Sequence, residues 1–225
     1  MKPISKASAF ATFAALLTTS CSNVPMVPDW QMEAKGAMDR SVVAYLEGNS
    51  RVEMAELARA RKHLSSTGRA DLMAAAELLH CASRVASAVF EPCAGFERLS
   101  YDATEAQRAY ADYLRGQLAP AQTPMLPAIQ RAAVGQVPTG NQGLQGIDDP
   151  LSLLVAAGVM LKTGTASPAI IGQAVDTASD QGWRRPLLAW LGVQAQSAIQ
   201  GGQTVEAAQA QRRKELIQNG AAPLP

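Results

Sequence analysis

Apolar residues along this chain recur with the spacing of helices and almost nowhere with the alternation of strands. From Asp29 to about Glu47, the residues Trp30, Ala34, Ala37, Met38, Ser41 and Tyr45 fall on one face, with Asp29 placed to cap the first turn. Ser50 and Glu53 have the spacing of a capping box for a second helix that stops near Thr67-Gly68. A third pattern runs from about Arg69 to Phe90, with Leu72, Ala75, Leu79, Ala82, Ala86 and Val89 as its apolar face. Asp102 and Glu105 are placed to open another, which would bury Ala106, Tyr110, Tyr113 and Leu114. Pro120, Pro124 and Pro127 then interrupt the periodicity, leaving at most a short helix before Gly135.

Residues 135–148 (GQVPTGNQGLQGID) hold four glycines and no periodic apolar face, so they read as a linker. Beyond it, Asp149-Pro150 and Ser167-Pro168 each set a capping residue before a first-turn proline. These predict helices over roughly 150–163 and 168–181. Pro186 starts another to about Gln200, and Thr204 caps a last one that ends at Asn219-Gly220. Residues 29–134 and 149–220 are therefore expected as two helical lobes, with 221–225 as a disordered tail. Short helices with tight connections pack as antiparallel neighbours. The predicted fold class is all-α, built of antiparallel helical hairpins.

The hairpins share small residues at recurring places. Leu191, Gly192, Ala195, Gly202 and Ala207 resemble the Leu-Gly, Ala and Gly positions of a tetratricopeptide repeat. Tyr45, Gly48, Ala55 and Ala58 echo them, as do Leu161, Gly164, Ala174 and Ala178. Small residues there let two helices approach closely. The resemblance implies a short tetratricopeptide-like solenoid; an irregular helical bundle is the alternative.

Composition agrees with a folded helical body. Of 225 residues, 48% are apolar, 17% charged and only 5% aromatic. Without residues 1–20, which hold Lys2 and Lys6 and no acid, the chain would carry 18 basic and 19 acidic residues. A near-neutral body argues against nucleic acid as a partner, because that binding rests on neutralising phosphates.

The N-terminus carries an address. Lys2 and Lys6 precede an uninterrupted run of apolar and small residues, Ala7 to Leu17, and then Thr18-Thr19-Ser20-Cys21. A basic start, a short apolar run and small residues before a cleavage point make an export signal over residues 1–20. The run rises only about 16 Å as helix, roughly half a bilayer core. The segment resembles the lipobox of bacterial lipoproteins, in which small residues precede a cysteine that is lipidated and becomes the new N-terminus. Thr18 stands where that pattern usually has Leu. The resemblance implies lipid on Cys21, a tether over 21–28 and membrane anchoring through two or three acyl chains. In such families an Asp after the cysteine retains the protein at the inner membrane. Ser22 in that place implies the periplasmic face of the outer membrane.

With Cys21 taken by lipid, Cys81 and Cys93 remain as an even pair in an oxidising compartment, where a disulfide is expected. A loop of this length would stabilise the fold by about 3 kcal/mol. Two free thiols are one alternative. A metal site drawing on His80 and perhaps His63 is another, but no CxxC or HxxxH spacing supports it and no metal is expected.

No GxSxG, HExxH or Walker sequence occurs, and neither of the two histidines has an evident nucleophile partner, so no catalytic residue and no cofactor is expected. His63 lies among Arg59, Arg61 and Lys62, which read as a solvated face. The most distinctive local sequence joins a helix stop to a helix start through Trp183, Arg184 and Arg185. These three are the candidate contacts for a partner chain or an anionic ligand. In the competing structural reading, Trp190 and its leucines fill core while the arginines satisfy carbonyls at the preceding helix end. The function expected is that of a non-enzymatic envelope lipoprotein whose body binds another envelope protein as a scaffold or assembly factor. The alternative is a lipoprotein that binds a small ligand or peptidoglycan fragment near Trp183 and Arg184.

Overall fold

Helix-forming sequence produces helix throughout: the computed structural model describes residues 27–136 and 143–220, and none of these is in a strand. The signal segment, Cys21 with most of its tether, the middle of the Gly-rich linker and the last five residues lie outside the described residues. Helices α1 (Asp29–Glu47) and α2 (Ser50–Ser65) are joined by only Gly48 and Asn49. Gly48 sits at φ 91°, a left-handed position that closes α1 by donating to the Tyr45 carbonyl. The cap of α2 is one residue earlier than expected. The Asn49 side chain accepts from the Val52 N–H at 3.3 Å, which frees Ser50 and Glu53 for tertiary roles.

Helix α3 (Ala70–Ala86) packs against α1, α2, α5 (Glu105–Arg115) and α7 (Pro150–Lys162). It ends four residues before the expected stop at Phe90. Ser87 and Val89 both donate to the Arg84 carbonyl, and Ala88 turns the chain at φ 54°. Short α4 (Ala94–Glu97) follows, then α5, whose capping box is Thr104 with Gln107 rather than Asp102 with Glu105. A 3-10 turn at Pro120–Met125 and α6 (Ala128–Val134) fill the proline-rich stretch. Asp149 and Ser167 cap α7 and α8 (Pro168–Asp180) as expected, accepting from the Ser152 and Ile170 amides. Helix α9 (Arg184–Gln200) begins two residues before Pro186, which sits in the first turn, where no helical N–H is needed. Thr204 is the first residue of α10 (Thr204–Asn219) and makes no cap of its own.

The main core runs from Leu78, Ala82 and Val85 on α3 through Leu154 and Val155 on α7 and Val175 on α8 to Trp190 and Leu191 on α9. Helix α7 is buried from Leu153 to Val159 without interruption, the signature of a central helix rather than an amphipathic one. It meets α3 at Gly158. A Cβ there would stand 2.9 Å from the Val85 carbonyl carbon and closer still to its oxygen, so only glycine lets the two backbones touch. A smaller core joins α1, α2 and Ala76 of α3. In a solenoid each repeat touches only its neighbours, but here α3 packs on α7 and α1 on α9. The architecture is an all-helical bundle.

The linker is more embedded than its sequence suggests. Leu144 and Ile147 are buried in the main core, and the Gln173 amide both accepts from the Leu144 N–H (2.7 Å) and donates to its carbonyl (2.8 Å). Two isolated apolar residues, Leu144 held by a side-chain clamp, leave no periodic trace.

Cys81 and Cys93 form a disulfide, with Cα atoms 5.8 Å apart. The bond ties the last third of α3 to the residue that opens α4.

Candidate functional site

Trp183, Arg184 and Arg185 fall at the start of α9, where it meets the α1–α2 turn, and they divide between roles. Arg185 is tied into the fold. Its Nε donates to the Tyr45 carbonyl at 2.8 Å and its Nη2 to the Ser50 hydroxyl at 2.9 Å. The carbonyl it satisfies belongs to the end of α1, not to the preceding helix α8. Trp183 is half-buried against the core clusters, and Arg184 is exposed. Trp190 is fully buried and donates its Nε1 proton to the Ala86 carbonyl at 2.9 Å, which locks α9 to the end of α3. Trp190 thus fills core as expected, while Arg185 is committed to the fold at the end of α1 rather than at the helix before it.

Arg185 belongs to a polar seam that joins α1, α2, α3 and α9. The guanidinium carbons of Arg84 and Arg185 each lie 4.4 Å from the centroid of the Tyr45 ring. Burial raises the Tyr45 phenol above its ordinary value, opposed by Arg84, by its bond to Ser87 and by Arg185. Glu53, buried on α2, accepts from Arg84 Nη2 at 2.8 Å and faces His80 Nε2 at 3.3 Å. Burial, reinforced by the Arg84 charge, lowers the His80 pKa. Glu77, also buried, takes both oxygens to Arg61 at 2.6 and 2.8 Å. Arg59 and Arg40 hold Glu56. The basic stretch around His63 is thus in part the counter-charge of buried acids rather than a wholly solvated face. In sequence Glu53 reads as a capping residue, and Glu56 and Glu77 carry no motif. The signal was there: Glu53, Glu56 and Glu77 interrupt otherwise apolar helix faces.

A second feature arises on α3, where the expected apolar face is buried only in its second half, at Ala82 and Ala86. The apolar residues buried on α3 are Ala74, Ala76, Leu78, Cys81, Ala82, Val85 and Ala86, and all but Ala76 join the main core with α5 and α7. Leu72 and Leu79 are only half-buried, and Ala75 is exposed. They form the floor of an apolar trough. On one side it opens into a hollow of about 310 Å³ walled by Trp30, Ala34 and Met38 of α1. On the other it opens into one of about 460 Å³ walled by Ala106 and Tyr110 of α5 and by Met125. Ala75 and Leu79 line both hollows, so the two adjoin across α3.

Among the described residues no three His, Cys, Asp or Glu side chains lie where they could share a metal ion. No helix there is long and apolar enough to cross a membrane. No family model, curated protein or solved structure matches the chain.

Proposed function

We propose that this chain is a bacterial envelope lipoprotein, anchored by lipid on Cys21 at the periplasmic face of the outer membrane. In this reading its helical body is a non-enzymatic module that binds another envelope protein. The observation that carries the binding role is the trough over α3. Its floor, Leu72, Ala75 and Leu79, has the three- and four-residue spacing of one helix face, and α1 and α5 stand as walls. An apolar strip of that shape suits the apolar face of an amphipathic helix laid along it. Ala75 at the centre is small enough to let a second backbone come close. The anchor rests on the basic start, the Ala7–Leu17 run and the small residues before Cys21.

The test is a photo-crosslinking amino acid placed at position 75 in cells, with position 54, an exposed methionine on α2, as the control. The reading expects one discrete adduct from position 75, lost when Leu72→Asp is added, and none from position 54. Equal labelling from both positions, or an adduct indifferent to Leu72→Asp, contradicts it.

A further inference from the structure

We infer that a second concavity, where α5, the Pro120–Met125 turn, α6 and α7 come together, is a binding site for one uncharged small molecule. That molecule is apolar over most of its surface and carries a hydroxyl or N–H donor at one end. The cleft measures about 430 Å³, within the range of small-molecule sites. Leu118, Val134, Ala156, Val159 and Met160 supply its walls, with the Tyr113 ring among them. The Tyr113 hydroxyl is already spent, donating to Gln130 Oε1 at 2.7 Å, while the Gln130 amide donates to the Ser152 carbonyl. Tyr113 therefore offers a ligand its ring and little polarity.

Charge decides the class of ligand. Among the described residues no Asp, Glu, Lys, Arg or His lines the cleft, so an ion entering it would lose hydration and meet no charged side chain. An apolar molecule loses nothing by the same transfer.

The polar groups at the rim decide which end of the ligand they meet. Thr163 Oγ1 donates back to the α7 carbonyls of Val159 or Met160 at 3.1 and 3.2 Å, and Thr165 Oγ1 donates to Met160 at 3.3 Å. The two hydroxyls also lie 3.0 Å apart, so both protons are taken up by the helix-end carbonyls or by the other threonine, and lone pairs are what remains for a ligand. Both α5 and α7 also terminate here, at Gly116 and Thr163, and helix C-termini carry partial negative charge. Acceptors and negative dipole ends at one rim favour a donor on the ligand. None of the residues lining the trough over α3 lines this cleft, so the two sites are separate.

N-phenyl-1-naphthylamine meets the description, being uncharged, aromatic and an N–H donor, and it brightens on leaving water. The experiment titrates it into the full-length chain carrying Cys21→Ala, free of lipid and detergent. The expected result is saturation at one probe per chain, with displacement by 1-decanol and at least about tenfold weaker displacement by decanoate. Val134→Trp, which fills a partly exposed wall, is expected to abolish binding, while Ala75→Trp in the trough leaves it unchanged. Thr163→Val, at an exposed position, is expected to weaken 1-decanol about fivefold through loss of one hydrogen bond. Non-saturable uptake, decanoate matching decanol, insensitivity to both Val134→Trp and Thr163→Val, or loss of binding in Ala75→Trp would each overturn the inference.

Discussion

Gly158→Ala should destabilise this protein, although alanine is the better helix former. Glycine inside a helix costs about 1 kcal/mol relative to alanine, so on propensity alone the change is favourable. The neighbours reverse the sign. The added methyl would stand 2.9 Å from the carbonyl carbon of Val85 and 2.9 Å from its Cγ1, where ordinary contact begins at 3.4 Å. The obstacle is the backbone of α3, not the flexible end of a side chain, so α3 and α7 must part by roughly an ångström in a densely packed core. The next carbonyl along, Ala86, anchors Trp190, so the disturbance reaches α9. Overpacking typically costs about 1–3 kcal/mol, and a backbone clash lies at or above the top of that range. The net expectation is a loss of about 2 kcal/mol, or about 4–8 °C in Tm for a chain of this size. Thermal unfolding followed by circular dichroism measures it. Gly172→Ala is the control. Nothing lies within 4 Å of the corresponding Cβ on α8, so this variant should be stabilised by about 0.5–1 kcal/mol. If Gly158→Ala matches or exceeds the wild type in stability, the close approach of α3 and α7 is wrong.

Removing the disulfide with Cys81→Ala and Cys93→Ala should cost about 3 kcal/mol, read as a lower urea midpoint; an unchanged midpoint would mean the bond constrains nothing. Burial and the Arg84 charge, opposed by Glu53 and Glu77, lower the His80 pKa in the fold, whereas the unfolded chain takes up a proton near its ordinary pKa of 6.5. Stability should therefore fall as pH drops below about 6.5, by at most about 1.4 kcal/mol per pH unit from this residue. His80→Gln should flatten that part of a stability-versus-pH curve, and an identical slope in both proteins would remove His80 from the account. Arg61→Met leaves the Glu77 carboxylate buried without its partner and should cost about 2 kcal/mol, discounted because Arg61 is partly exposed. The double variant Arg61→Met with Glu77→Leu should recover most of that loss in chemical denaturation, and a purely additive result would contradict the pairing.

Local signals were the legible ones. Asp149-Pro150 and Ser167-Pro168 announced α7 and α8 because a side-chain oxygen and a following proline act within one turn. The disulfide followed from counting thiols, and its Cα separation of 5.8 Å needs no special backbone. Long-range features were hidden. The face of α3 was legible only in its second half, at Ala82 and Ala86, because that helix is enclosed by α1, α2, α5 and α7, so more than one apolar stripe fits its period. Which stripe lies bare depends on the gap between α1 and α5, which no window of sequence reports. The partners of Glu53 and Glu77 lie 16 to 31 residues away, beyond any helical spacing. Gly158 is one glycine among 17, and only the approach of Val85 distinguishes it. The candidate trio at Trp183 was visible as an oddity, but Arg185 spends its donors inside the fold.

The lipid proposed on Cys21 can be read by intact and N-terminal peptide mass spectrometry of the protein extracted from membranes of cells that make it. A lipoprotein anchored there yields a chain beginning at Cys21, with that residue heavier by two or three acyl chains. A mature protein that begins at any other residue, or one that begins at Cys21 with an unmodified thiol, would contradict it.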